Sequence, residues 1–179
     1  MSEEDLRRLG VPGTALKERV SYLTVGLLAT GASCYLSDPQ LDYDCLDVTI
    51  MGSGPHKRRR PRFDVQIKAS SVGGAVRALV DGDFSISLPR DQYDELRAPS
   101  FDPIEFVVHI FPRGTVIPQV ITQGERMVLD GIMLRSDPST WPALPPSQDS
   151  GTVRLRRTDV FDIEYIKNKI KTLGDGGGR

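Results

Sequence analysis

Residues 103–112, PIEFVVHIFP, constrain the fold more than any other stretch of the chain. Apolar residues fill this proline-bounded run almost without a break. A run of that kind and length marks a strand buried on both faces, suited to the centre of a sheet. Such a sheet needs a layer on each side, and a chain of 179 residues has room for one domain of that build.

Composition sets limits on function. The formal net charge is -1, with 26% charged and 39% hydrophobic residues, so the overall balance gives no reason to expect a polyanionic partner; any such case rests on local clustering. No apolar run approaches membrane-spanning length, and the opening MSEEDLRRLG has no hydrophobic signal segment. The expectation is a soluble, cytoplasmic protein with no membrane association. Cys34 and Cys45 form no CxxC pair, and His56 and His109 add no zinc-ligand spacing, so reduced, packed thiols are expected. His109, inside the apolar strand, reads as a satisfied core or edge histidine.

Along the chain, TALKERVSYLTVGLLATGA places Leu16, Val20, Leu23, Leu27 and Leu28 at helical spacing, with Gly31 as a stop. This predicts a helix that buries that stripe. CYLS reads as a short strand, and CLDVTIMG and RFDVQIKAS as a hairpin across SGPHKRRRP. GDFSISLP alternates Phe84, Ile86 and Leu88 against Ser85 and Ser87, and RDQYDELRAP is a short helix ended by Pro99. Residues 114–136 hold two further strands, DPSTWPALPPSQDSG is a surface loop, and GTVRLRR is a last strand. A closing helix buries Ile163, Ile166, Ile170 and Leu173 and ends at Gly174. The order predicts a single α/β (α+β) domain over residues 1–173 and a disordered Gly-rich tail over 174–179.

Side chains alternate along a strand, so Asp64, Gln66 and Lys68 share one face of RFDVQIKAS while Phe63, Val65, Ile67 and Ala69 enter the core. Hairpin pairing brings Asp47 beside Gln66 and Lys68. A carboxylate, an amide oxygen and an ammonium then converge at one end of a sheet. Mg²⁺ takes hard oxygen ligands and commonly uses one or two protein groups, leaving water and phosphate to complete its octahedron. Asp47 supplies a charged ligand, Gln66 a neutral one, and Lys68 faces a phosphate, where it orients water or stabilises developing charge. Glu18, on the first helix, is a third acidic candidate if that helix crosses the hairpin. The alternative for this polar face is plain solvation.

CLDVTI followed by FDVQIKAS resembles the D…(D/E/Q)xK signature of the PD-(D/E)XK nuclease superfamily, in its QxK form. Over nearly its full length the chain is also similar to the family known as domain of unknown function 4365, through the helix carrying Glu18, YDCLDVTI, FDVQIKAS, FSISLPRDQYDEL, PIEFVVHIF, the strand leading to Trp141, and TVRLRRTDVFDIEYI, in that order. The resemblance implies a restriction-endonuclease-like αβββαβ core, a central mixed sheet flanked by helices. It also implies Mg²⁺- or Mn²⁺-dependent hydrolysis of phosphodiesters, most often in DNA, with RNA not excluded. Position by position, Asp47 matches the metal-binding aspartate, Gln66 the acidic position of (D/E)xK, Lys68 its lysine, and Glu18 the helix glutamate. No proline precedes Asp47, and Gln66 replaces a carboxylate, which removes a negative charge and weakens metal affinity.

The run HKRRRP carries Lys57, Arg58, Arg59 and Arg60, with Arg62 beyond it. Such a block neutralises phosphates beside the expected site, or is a solvated hairpin tip. Trp141, bracketed by prolines, either stacks on a base or packs over the sheet edge. Two functional readings follow. One is a nuclease, in a bacterial defence or DNA-processing system. The other is a catalytically degenerate module that binds nucleic acid or a protein partner; a homodimer suits paired cuts in duplex DNA.

Overall fold

The computed structural model describes Gly10 and residues 12–37, 45–54 and 60–176. Helix α1 (Gly13–Gly31) leads into β1 (Cys34–Ser37), β2 (Val48–Gly52) and β3 (Arg62–Ser71), and then β4 (Val76–Ala78), β5 (Phe84–Pro89) and helix α2 (Arg90–Arg97). The long apolar strand β6 (Ile104–Phe111) follows, with β7 (Val120–Gln123), β8 (Arg126–Leu129), β9 (Ile132–Ser136), β10 (Ser150–Leu155) and helix α3 (Ile163–Asp175).

The central sheet runs β1-β2-β3-β6-β9, and it is mixed because β3 and β6 are parallel while the other neighbours are antiparallel. One face carries Val48, Ile50, Phe63, Val65 and Val107 into a core shared with Val25 and Ala29 of α1 and Ile166 and Ile170 of α3. The other face carries Phe106, Val108 and Ile110 into a second core with Phe84, Ile86, Leu88, Tyr93 and Val153. Strand β6 therefore feeds both cores, which is why its sequence is apolar at nearly every position.

Four expectations are corrected. The second layer is not helical alone: β10, β5 and β4 form a three-stranded sheet of their own, with the short helix α2 contributing Tyr93 and Leu96 to the same core. Residues 114–136 give three strands rather than two, because β7 and β8 pair with each other around Gly124 and leave β9 to join the central sheet. Helix α1 buries Ser21, Val25 and Ala29, whereas Leu23 and Leu27 of the expected stripe are 50% and 71% exposed. The helix lies close to its neighbours: a Cβ on Gly26 would stand 3.3 Å from Leu36, and one on Gly31 2.7 Å from Ile163. Small side chains meet that close approach, and of the expected stripe Leu28 still packs against the core edge. Finally, Gly174 is buried inside α3, and the left-handed cap is Gly176, at φ 89°.

Trp141 is packed, not free to stack on a base. Its ring stacks on Tyr93 at 4.9 Å and meets Phe106 edge-on at 5.4 Å. Its indole N–H donates to Ser136 Oγ at 2.8 Å.

Candidate functional site

Asp47 stands one residue before β2, where its N–H still donates to the Val65 carbonyl at 3.0 Å. The β2–β3 ladder ends there, and the Ile67 N–H meets no strand carbonyl among the described residues. The Asp47 carboxylate takes its place: Oδ2 accepts from the Ile67 N–H at 2.6 Å and from Gln66 Nε2 at 2.5 Å. Gln66 is only 5% exposed, and its amide nitrogen also donates to the Ile67 carbonyl at 3.2 Å. The two residues paired by the hairpin thus meet directly, and burial of Gln66 makes the partnership matter.

Strand alternation puts Thr49 and Asp64 on the same face, joined by a 2.6 Å hydrogen bond from Thr49 Oγ1 to Asp64 Oδ1. Lys68 follows Gln66 on that face. It is half-buried and makes no hydrogen bond or ion pair with a described residue. Cys45 enters β2 in the left-handed region, at φ 52°, and its thiol donates to Glu95 Oε2 of α2 at 3.0 Å. That contact fastens the approach to Asp47 onto the second layer. Nothing in the spacing of Cys45 and Glu95 announces it, because it is made between distant elements.

Glu18 is not drawn into this group. Helix α1 covers the opposite face of the sheet, and Glu18 is exposed there without a hydrogen bond or ion pair to a described residue. Of the basic run, Lys57, Arg58 and Arg59 lie outside the described residues. Arg60 is exposed with φ 56°. The Arg62 guanidinium is engaged by Asp102, with Nε and Nη2 both 2.7 Å from Oδ2, and that hydrogen bond holds its pKa above the usual value.

Among the described residues no three of His, Cys, Asp and Glu stand close enough together to hold a metal ion. The donor set at Asp47 fits Mg²⁺ in a restricted way. Asp47 supplies one charged oxygen, and Gln66 supplies a neutral one only if its amide turns over, since its NH₂ end faces Asp47. Water and substrate oxygens would fill the remaining positions.

His109 is buried on the α1 side of β6, with Nδ1 3.0 Å from Ser21 Oγ. Burial pushes its pKa down to about 4, against a smaller opposing effect from a hydrogen bond to the Asp130 backbone. It is a neutral packing histidine that ties α1 to the sheet, as its place in an apolar strand leads one to expect. Both cysteines are free thiols.

No family model, curated protein or solved structure matches this chain.

Proposed function

We propose that this protein hydrolyses phosphodiester bonds, in DNA before RNA, with a divalent metal held by Asp47 and Gln66 and with Lys68 on the phosphate. The observation that carries the reading is the direct contact of Asp47 with Gln66 at the mouth of the β2–β3 hairpin, on the face that holds Lys68. The order of elements supports it as well: a helix, an antiparallel β1-β2-β3 meander, and a later strand added parallel to β3 follow the succession that the restriction-endonuclease-like resemblance implies.

Asp47 is oriented by the Ile67 N–H, which fixes one carboxylate oxygen without a rotamer search on binding. A bound Mg²⁺ would polarise a phosphoryl oxygen and acidify a water. Lys68, with no counter-ion among the described residues, offers its ammonium to a phosphate oxygen and loses no such ion pair in doing so. Glu18 is left out of the proposed ligand set, and Arg62 out of the proposed phosphate contacts.

The test is incubation with circular plasmid in Mg²⁺ or Mn²⁺, with EDTA and Lys68→Ala in parallel. Nicking or linearisation that requires both the metal and Lys68 is expected. Cleavage by Lys68→Ala at the wild-type rate would sink the mechanism. A second reading is favoured by one feature: the Gln66 amide already satisfies Asp47 internally, as a degenerate site would. That reading predicts a plasmid shifted in a gel but uncut, and no Mg²⁺- or Mn²⁺-linked stabilisation.

A further inference from the structure

A cavity of about 730 Å³ opens at the C-terminal ends of the parallel strands β3 and β6, against the start of α1. We propose that it binds the phosphate group of a nucleotide-sized ligand. Among the described residues its wall contains two cations, Lys17 and Arg113, and no aspartate or glutamate. Neither cation makes a hydrogen bond or ion pair with a described residue, whereas Arg62, Arg90, Arg135 and Arg154 each face a carboxylate. Two like charges brought to one hollow repel each other, and an anion between them removes that cost.

The surrounding backbone suits close approach by such an anion. Gly73 and Gly114, at φ 90° and 78°, turn the chain out of β3 and β6 in conformations that other residues resist. The Arg113 guanidinium lies across Gly73, where a Cβ would stand 3.3 Å from Nη1. A side chain there would push it off the wall. Ser71 Oγ donates to the Thr115 carbonyl at 3.0 Å and so fixes the β6 exit against the β3 exit. The Gly13 and Thr14 amides at the start of α1 add donors without intrahelical acceptors. Pro12, Val72 and Val116 supply an apolar wall, which suits the ring of a nucleotide better than free phosphate. Crevices beyond the carboxyl ends of parallel strands are where such ligands dock in α/β sheets. This site is separate from Asp47: Ser71 and Lys68 lie on the same strand but on opposite faces.

The test is calorimetric titration and thermal melting in EDTA at fixed ionic strength, with inorganic phosphate, AMP and adenosine as probes. EDTA removes the metal site from the measurement, so failure of the nuclease reading and failure of this one are distinguishable. AMP is expected to bind once per chain and raise the melting temperature, phosphate to do so more weakly, and adenosine not at all. Arg113→Gln, an exposed substitution, should weaken AMP about tenfold, and Lys17→Ala with Arg113→Gln should abolish it while circular dichroism stays native. Competition separates two sources of the same chemistry. Displacement of AMP by a 5′-phosphorylated oligonucleotide, and not by its 5′-hydroxyl form, assigns the phosphate to a strand end; no displacement by either assigns it to a free nucleotide. AMP binding that survives the double substitution, or no response of the wild type to any phosphate probe at millimolar concentration, overturns the proposal.

Discussion

Gln66 spends its amide hydrogens on Asp47 and on the Ile67 carbonyl, so its role depends on which end of the amide faces the carboxylate. Gln66→Glu makes that distinction measurable. Without metal it sets two carboxylates in contact in a largely buried place, which should cost about 1–3 kcal/mol at neutral pH and recover on acidification as one carboxyl takes up a proton. If the pair is a metal site, Mg²⁺ or Mn²⁺ restores the midpoint and does so more strongly than in wild type; chemical denaturation with and without the cation reads this. An unchanged midpoint in metal would count against Asp47 and Gln66 as ligands. His109 makes a second prediction at this scale. Its folded pKa of about 4 lies below the ordinary histidine value of 6.5, so between those values the unfolded chain binds a proton that the folded one refuses. Stability from this group is whole above pH 6.5 and falls as the pH drops towards 4, by up to about 3 kcal/mol. His109→Gln should flatten that part of the pH–stability curve relative to wild type, and an equal slope in both proteins would refute the assignment.

Helix α1 carries apolar residues around much of its circumference, and its sequence does not choose the face that goes inward. The structure buries Ser21, Val25 and Ala29 and leaves Leu27 outside. Val25→Ala should therefore cost about 2 kcal/mol through lost methyls and a cavity, while Leu27→Gln should stay within about 0.5 kcal/mol; urea midpoints of the two variants check the order. Reversal of that order would mean that the leucine stripe is buried after all. The strands were more legible than this helix. A period of two leaves only two faces, so Val48 and Ile50, or Phe63 and Val65, named their core side directly, and the same alternation put Gln66 opposite Asp47. What it could not reveal was contact between elements far apart in the chain. The Cys45–Glu95 bond, the cavity cations Lys17 and Arg113, and the second sheet all arise in that way. Nor did it reveal that Asp47 would cap an orphaned backbone N–H as well as face Gln66.

At the scale of the molecule, adjacent residues of β6 belong to different cores. Phe106 meets Trp141 on the second-sheet side, while Glu105 faces α3, fully buried. Glu105 Oε1 accepts from Lys169 Nζ at 2.7 Å and from the Tyr165 hydroxyl, and Oε2 lies 3.7 Å from Arg135 Nη1. Burial, reinforced by Glu105, holds the Tyr165 hydroxyl far above its ordinary pKa and keeps it a donor. Arg135 also stacks over the Tyr165 ring at 3.8 Å. This cluster joins α3, β6 and β9, and it depends on every member because a buried carboxylate without its cation is costly. Lys169→Met should lower stability by about 3 kcal/mol. The only tryptophan, Trp141, stands on the other side of the same strand, so its fluorescence reports a core that Lys169 does not touch. If the two cores unfold as one through β6, fluorescence and far-ultraviolet circular dichroism give superimposable urea curves in wild type, and Lys169→Met shifts both midpoints equally. A shift in circular dichroism alone would show that the helical layer melts separately from the second sheet, and that β6 does not couple them.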